Sequence, residues 1–359
     1  MAFPPLILAQ CSFPKTSTLF MSSRNFLFPF VLLALGLSFL LNLSMGSVWI
    51  PPSEILSGLW SGTWGKDSWQ QIILHYRAPK ALVAIFAGMG LSVSGLQMQT
   101  FFRNPLAGPY VLGVSSGAGL GVALLMLSGT ALGISALSLN SWMVALAGIL
   151  GAGTMLLLVS LVAWRVRDSM TLLIVGLMVG SAVSALVAVL SFFSGSEALK
   201  LYSVWSMGSL GALNWSQVGL LGLVLGIGLV PVVFSIKSYN ALLLGESYAR
   251  SMGIRTERLR WIMIGSTGIL AGGITAFCGP IAFLGIAVPH LARMLWKTAD
   301  HRILFPGSAL LGAILLLLCD ALGHLPGWSS TLPINAVTSL VGAPLVISLI
   351  LRKNLSKDF

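Results

Sequence analysis

The sequence predicts an all-α polytopic membrane protein with about ten transmembrane helices. Of its 359 residues, 56% are hydrophobic and only 8% are charged, and the mean hydropathy is +0.95. Soluble domains carry about 25% charged residues, so the composition excludes the soluble classes. The 40 glycines are typical of helical membrane proteins, in which small residues let helices pack closely.

Ten apolar stretches are long enough to be membrane spans, since a span needs about 20 apolar residues to cross a hydrocarbon core of about 30 Å. They cover residues 26–46, 81–101, 110–130, 142–163, 170–193, 216–236, 261–278, 280–296, 304–323 and 332–351. Gly279 and Pro280 interrupt the apolar run between spans seven and eight. This interruption predicts a broken or re-entrant helix there.

The basic residues predict the orientation of the chain. With the N-terminus inside, 16 of the 20 Lys and Arg residues fall in inner segments, and only Lys66, Arg77, Lys80 and Lys200 fall outside. This bias predicts that both termini are cytoplasmic and that the protein is a multi-pass protein of the cell inner membrane. The net charge of +11 is spread between the apolar runs, which argues against a nucleic-acid surface.

The longest polar gap, Lys237–Arg260, holds seven of the 29 charged residues and falls inside. Within it, Gly245, Ala249 and Gly253 recur at i, i+4 and i+8, so they would share one face of a short helix. Glu246 and Arg250 form an i, i+4 pair, and Gly253 suits the helix end. The pattern predicts an exposed helix whose small-residue face docks a cytoplasmic partner. An ordinary connecting loop is the alternative.

Two proline-containing breaks follow glycine-rich spans at Arg77–Gly113 and Arg258–Arg293, five spans apart. They indicate a weak inverted repeat. The first break contains Asn104, Pro105 and Pro109 and leads to Gly113, and the second contains Gly279, Pro280 and Pro289.

His290 and Arg293 lie i, i+3 on span eight, where a lone histidine favours packing over catalysis. Cys11, Cys278 and Cys319 are scattered and lack metal-ligand spacing, so no metal site and no disulfide framework are predicted. Gly65-Lys66-Asp67 lacks the rest of a phosphate-binding loop. No catalytic residues and no bound cofactor are therefore expected.

Together these stretches resemble the membrane permeases of the iron-siderophore, haem and cobalamin ABC importers, the FecCD family, from about residue 26 to the end of the last span. The matching motifs are R-x-P-K/R at 77–80, NPLAGPYVLGVSSGAGLG at 104–121, Trp205 with Gly208-Ser209-Leu210, LLLGESYARSMGI at 242–254, GPIAFLGIAVPHLAR at 279–293 and LVGAPLVISLILRK at 340–353.

The resemblance implies a type II ABC importer permease that pairs with a second permease, taken to be an identical copy. Two cytoplasmic ATPase subunits would use ATP, and an external binding protein would deliver a metal chelate. The helix in 237–260 would be the coupling helix that docks the ATPase. Arg77 and Lys80 would pair with glutamates of the binding protein. The expected divisions are a cytoplasmic segment 1–25 with Met21 as a candidate start, a permease domain 26–353 and a tail 354–359.

One departure from the family pattern affects the docking surface. The pattern D-x-x-x-R followed by E-L-P-x-G reads here as Asp320 and His324, then Thr331 and Asn335 in place of the glutamate and glycine. A histidine is only partly protonated near neutral pH, so docking at His324 is expected to be weaker or pH-dependent.

The expected function is ATP-driven import of an iron-siderophore complex by alternating access, with cobalamin and haem as alternative cargoes. An ion-coupled secondary transporter is the rival class. That mechanism usually needs ionisable groups buried in the spans, and the spans are almost free of acids. An intramembrane enzyme would need a cluster of polar catalytic groups at one depth, and the sequence shows none.

Overall fold

The computed structural model describes residues 26–128, 140–166, 168–324 and 331–355, and the side chains of 349, 350 and 352–355 are not described. The predicted segment 1–25, its candidate start Met21 and residues 356–359 of the tail lie outside this part. All regular elements in the described part are helical, which confirms the predicted all-α class.

The first half of the chain, in order, consists of α1 (Leu27–Ser44), α2 (Pro52–Ser61), α3 (Asp67–Gln71), a π-helical turn (Ile72–Arg77), α4 (Ala78–Phe101), a 3-10 turn (Pro109–Leu112), α5 (Val114–Leu127), α6 (Ser141–Arg165) and α7 (Ser169–Phe193). The second half consists of α8 (Ser196–Ser206), α9 (Trp215–Leu243), α10 (Glu246–Ser251), α11 (Thr256–Cys278), α12 (Leu284–Trp296), α13 (His301–Leu322) and α14 (Ile334–Leu355).

Each of the ten predicted spans contains a helix, but the helices differ in length. Seven described stretches are long and apolar enough to cross a membrane: α1, the continuous stretch from α3 to α4, α6, α7, α9, α11 and α13. By contrast, α5 has 14 residues and α12 has 13. At 1.5 Å per residue each is about 20 Å long, shorter than the hydrocarbon core. Each of these short helices follows a stretch in which the α-helical structure is interrupted.

The break predicted at Gly279 and Pro280 is confirmed, since α11 ends at Cys278 and α12 begins at Leu284. Gly279 has a φ of +71°, which an L side chain rarely adopts. The order of a long helix, a break and a short helix occurs at α4–α5 and again at α11–α12. This order matches the repeat that the two proline-containing stretches predict.

Helices α4 and α11 form the centre of the bundle. In their most apolar stretches 78% and 72% of residues are buried, against 17% in α7. Glycines make this packing possible because they let backbones approach closely. A Cβ at Gly95 of α4 would lie 1.9 Å from the carbonyl oxygen of Gly285 in α12, and one at Gly88 would lie 2.3 Å from that of Gly312 in α13.

Candidate functional site

Two faces of the bundle gather the residues that the sequence singles out. The Arg103 face consists of residues 101–103, Asp168 and residues 244–260. Most of these residues line one cavity of about 720 Å³. The Lys80 face consists of Lys80 and residues 207–211, 320–324 and 331–334, around a cavity of about 360 Å³. Since α4 has 24 residues, the faces lie about 35 Å apart.

On the Arg103 face, α10 has the predicted ion pair and the predicted end. Glu246 Oε1 accepts from Arg250 Nη2 at 2.6 Å, and both side chains are exposed. Gly245 precedes the helix with a φ of +112°, and Gly253 follows it with a φ of +80°. Glycine is favoured at both positions because each needs a left-handed backbone.

The predicted stripe of small residues along one helix face does not form, whereas the docking of a partner at α10 stays a prediction. The helix has six residues, so Gly245 and Gly253 lie outside it and cannot share a helical face with Ala249. The Ala249 side chain is fully buried within the chain. The exposed surface of α10 is instead formed by polar and aromatic side chains, including Ser247, Tyr248 and Arg250. A partner that binds α10 would therefore contact these side chains.

Asp168 borders the same cavity and caps α7. Its carboxylate accepts hydrogen bonds at 2.7 Å from the hydroxyl and from the backbone N–H of Thr171. These two donors, the hydroxyl first, lower the pKa of Asp168 below its ordinary value. The nearby Arg260 guanidinium donates to the Val166 carbonyl, which holds the start of α11 against the loop before α7.

A polar network next to α10 connects three helices. The Asn240 side chain, near the end of α9, donates to Asp300 at 2.6 Å and accepts from the His301 backbone N–H at 2.8 Å. The His301 ring, which begins α13, lies 2.9 Å from the Thr100 hydroxyl of α4. A displacement of the chain at Asn240 would therefore also displace residues of α4 and α13.

A second network explains Pro289 and Arg293. Pro289 has no N–H, so the Gly285 carbonyl four residues earlier loses its helical partner. The Gln99 side-chain amide of α4 donates to the Gly285 and Ile286 carbonyls at 3.4 and 3.1 Å. Arg293 donates to Gln99 Oε1 at 2.5 Å. Gln99 thus compensates for the proline and positions Arg293. His290 is half-buried on the same helix.

The first break forms a tight turn that the Asn104 side chain stabilises. Asn104 Oδ1 accepts from the Leu106 N–H at 2.9 Å across Pro105, and Pro109 begins the 3-10 turn. Gly113, with a φ of +66°, is the N-cap residue of α5. The predicted chain-breaking role of these residues is confirmed.

On the Lys80 face, Lys80 and His324 lie together, as the predicted docking surface requires. The Lys80 ammonium lies 2.9 Å from Asp320 Oδ2 and 3.1 Å from His324 Nε2. Asp320 is almost fully buried, whereas 27% of the His324 side chain is exposed. Lys80 therefore has an acidic partner within its own chain.

Arg77, the third predicted docking residue, points into the bundle. Its guanidinium donates to the carbonyls of Leu43 at 2.7 Å, Ser44 at 3.0 Å and Val48. The first two carbonyls end α1, where a helix leaves its last carbonyls without backbone partners. Arg77 is 9% exposed, so in this conformation it is a structural cap for α1.

The departures at Thr331 and Asn335 have different surroundings. The Asn335 side-chain carbonyl accepts a hydrogen bond from the Ala282 N–H at 3.0 Å, and the Asn335 backbone N–H donates to the Met207 carbonyl at 3.2 Å. Asn335 therefore fixes the break between α11 and α12 to the loop after α8. Thr331 is exposed at the rim of the Lys80-face cavity.

Sequence reasoning missed Gln99, Asn240 and His301. The sequence does contain a signal for these residues, because each is a polar residue in or next to an apolar stretch. Burying such a side chain costs free energy unless it has a hydrogen-bond partner. Among the described residues, no three His, Cys, Asp or Glu side chains are placed to hold a metal ion. Cys278 and Cys319 are buried, free thiols, and Cys11 lies outside the described residues.

Comparisons with known proteins agree with this architecture. The chain is 36% identical over 320 residues to the vitamin B12 import system permease protein BtuC of Salmonella arizonae, which covers 88% of this chain and 91% of the relative. It is 35% identical to the protein of that name from Escherichia coli O17:K52:H18, again over 320 residues, or 88% of this chain and 92% of the relative.

A solved structure also matches. An inward-facing conformation of a metal-chelate type ABC transporter superposes with a TM-score of 0.79 and 29% identity, over 91% of this chain and 99% of that one. The model of the FecCD transport family matches residues 33–352. These matches identify an ABC importer permease subunit whose ATPase is a separate subunit, and they overturn the ion-coupled alternative. The chain belongs to the FecCD transport family.

Proposed function

We propose that two copies of this chain form the translocation path of an importer that receives a metal chelate from an external binding protein, and that two ATPase subunits drive it. The observation that carries the proposal is the family match across residues 33–352, which includes both the Lys80 face and α10. Binding events at the two ends of the path would favour different conformations and so alternate its access.

The first candidate cargo is cobalamin. Ferric siderophore is the first expectation from the sequence motifs, and haem is a further alternative. The relatives at 35–36% identity are named as vitamin B12 import permeases, which supports cobalamin over both. The matching solved structure is named for metal chelates in general, a class that contains all three cargoes.

The Arg103 face is proposed to be cytoplasmic. Arg103, Arg250, Arg260 and their basic neighbours belong to this end of the bundle, whereas Lys66, Lys80 and Lys200 belong to segments at the other end. Cytoplasmic segments carry the excess of Lys and Arg. The exposed side chains of α10 would then contact the ATPase, and the network from Asn240 to Thr100 would transmit the motion to α4.

The test is an uptake assay in proteoliposomes that contain this chain, its ATPase and its binding protein. Labelled cyanocobalamin, ferric siderophore and haem are offered separately, with ATP or with a non-hydrolysable analogue. ATP-dependent accumulation of cyanocobalamin alone is expected. Accumulation of the siderophore or haem instead would overturn the proposed cargo, and accumulation without hydrolysis would overturn the proposed mechanism.

A further inference from the structure

A third cavity, of about 320 Å³, lies between α5, α7 and α8 beside Pro280. Its walls carry the aromatic side chains of Tyr110, Tyr202 and Trp205 and the hydroxyls of four serines. Trp205 belongs to the motif that includes Gly208-Ser209-Leu210. Neither the docking of the binding protein nor the coupling to the ATPase assigns a function to Trp205. Pockets that bind small molecules have volumes of about 300–1,000 Å³, so this one suits a single arm of a larger ligand.

Two of the residues that line this cavity carry a hydrogen-bond donor that has no partner among the described residues. The Tyr110 hydroxyl and the Trp205 indole N–H are buried, and neither has a hydrogen-bond partner among the described residues. Most buried polar side-chain atoms in folded proteins do have a partner. Because both atoms belong to residues that line one cavity, a ligand that offers oxygen acceptors would satisfy both.

Tight packing holds both donors in place. Tyr110 lies in the 3-10 turn beside the glycines of two helices: a Cβ at Gly176 would be 1.9 Å from the Val111 carbonyl oxygen, and one at Gly285 would be 2.5 Å from Pro109 Cδ. The Trp205 ring stacks on Tyr202, with centroids 6.0 Å apart and planes 30° from parallel. Donors that are already oriented bind an acceptor with little loss of conformational freedom.

The serine hydroxyls supply the opposite kind of group. Ser184 and Ser206 donate their protons to the carbonyls of Gly180 and Ser203 at 3.0 and 2.8 Å. A hydroxyl that donates in this way still has lone pairs that can accept. The cavity therefore combines fixed donors from aromatic residues with acceptors from serines.

None of the described residues that line this cavity is charged, in contrast to the cavities of the Arg103 and Lys80 faces. A carboxylate or phosphate entering it would lose hydration without meeting a cation. A primary carboxamide is neutral, accepts through its carbonyl and donates through its N–H₂ group. That combination matches the donors and the acceptors of the walls.

We propose that this cavity, centred on Tyr110 and Trp205, is a cargo subsite that binds a carboxamide-bearing arm of the transported metal chelate. The inference rests on the proposed function and adds a place and a chemistry to it. Cobalamin carries several such arms, so the subsite would distinguish it from chelates whose periphery is anionic.

The test uses Tyr110→Phe in the reconstituted complex with labelled cyanocobalamin. The substitution removes only a hydroxyl that has no partner among the described residues, so folding should be retained. The expected result is a rise in the KM of uptake of about two- to tenfold, which corresponds to one lost neutral hydrogen bond. The melting temperature should not change. Trp205→Phe should act in the same direction, and Tyr76→Phe, at an exposed tyrosine, is the matched control.

The outcomes separate the two proposals. If the wild-type complex imports cyanocobalamin and Tyr110→Phe leaves its KM unchanged, the subsite is refuted while the cargo stands. If the wild-type complex imports no cyanocobalamin, the cobalamin cargo is refuted. The variants are then measured with the cargo that is imported, and an unchanged KM there refutes the subsite as well.

Discussion

The Lys80 ammonium and the Asp320 carboxylate, which belong to α4 and α13, form an ion pair at 2.9 Å beside the Lys80 face. The Asn42 side chain of α1 donates to the same carboxylate at 2.8 Å. Three helices therefore meet at one buried acid. A lysine that resembles a docking residue in sequence holds the bundle together in the structure, and His324 is the more exposed member of the group.

Lys80→Met should destabilise the protein by about 3–5 kcal/mol, because it leaves the buried Asp320 carboxylate without its cation. Denaturant unfolding in detergent measures the change. The double variant Lys80→Met/Asp320→Leu should recover most of this loss. Lys200→Met, at an exposed lysine, is the control. Equal stabilities of Lys80→Met and wild type would show that the ion pair contributes nothing.

His324→Arg should strengthen capture of the binding protein, because it places a permanent cation at the position where the family pattern has arginine. The expected change is a several-fold lower Kd in a pull-down titration or by surface plasmon resonance. His75→Arg, on the π-helical turn before α4, tests for a general charge effect. A Kd that His324→Arg leaves unchanged would remove His324 from the docking surface.

Gln99→Leu should lower stability by about 1–3 kcal/mol, because it leaves the Gly285 carbonyl and the Arg293 guanidinium without their shared partner. The melting temperature in detergent measures the loss. Gln71→Leu, at an exposed position of α3, is the matched control. If both variants melt at the wild-type temperature, Gln99 does not compensate for Pro289.

Tyr248→Ala should uncouple ATP hydrolysis from uptake, since Tyr248 belongs to the exposed surface of α10. We expect ATP hydrolysis to continue while the number of cargo molecules imported per ATP falls. Ala249→Trp should instead prevent folding, because the Ala249 side chain is fully buried. Tyr76→Ala is the control on an exposed tyrosine. A normal transport ratio in Tyr248→Ala would exclude this residue from coupling.

Asp168 should make the stability of the folded protein depend on pH in the acidic range. Its pKa is lowered in the folded protein by its bonds to Thr171. It therefore stabilises the fold above its ordinary pKa of about 3.9 and loses this contribution as the pH falls through the lowered value. Asp168→Asn keeps a side-chain cap and should melt with a weaker dependence on acidic pH. Asp67→Asn, at an exposed acid, should behave like wild type.

The sequence by itself determined the class of the protein, the positions of the ten helices that match the predicted spans, and the break at Gly279 and Pro280. It did not predict the short helices α2, α3 and α8. Hydropathy and glycine content depend on residues that are close together in the sequence, so helices and breaks can be predicted without knowledge of the tertiary structure. The six motifs were also enough to indicate the family, because they are short, local and in order.

Only the tertiary structure decided what the charged and polar side chains contact. Arg77 caps α1, Lys80 pairs with Asp320, and Ala249 faces inward. These roles depend on partners that are far away in the sequence or on the orientation of a six-residue helix. Neither can be predicted from the order of the residues in a short motif. Tyr110 and Trp205 line one cavity for the same reason: the packing of α5, α7 and α8 brings the two residues together.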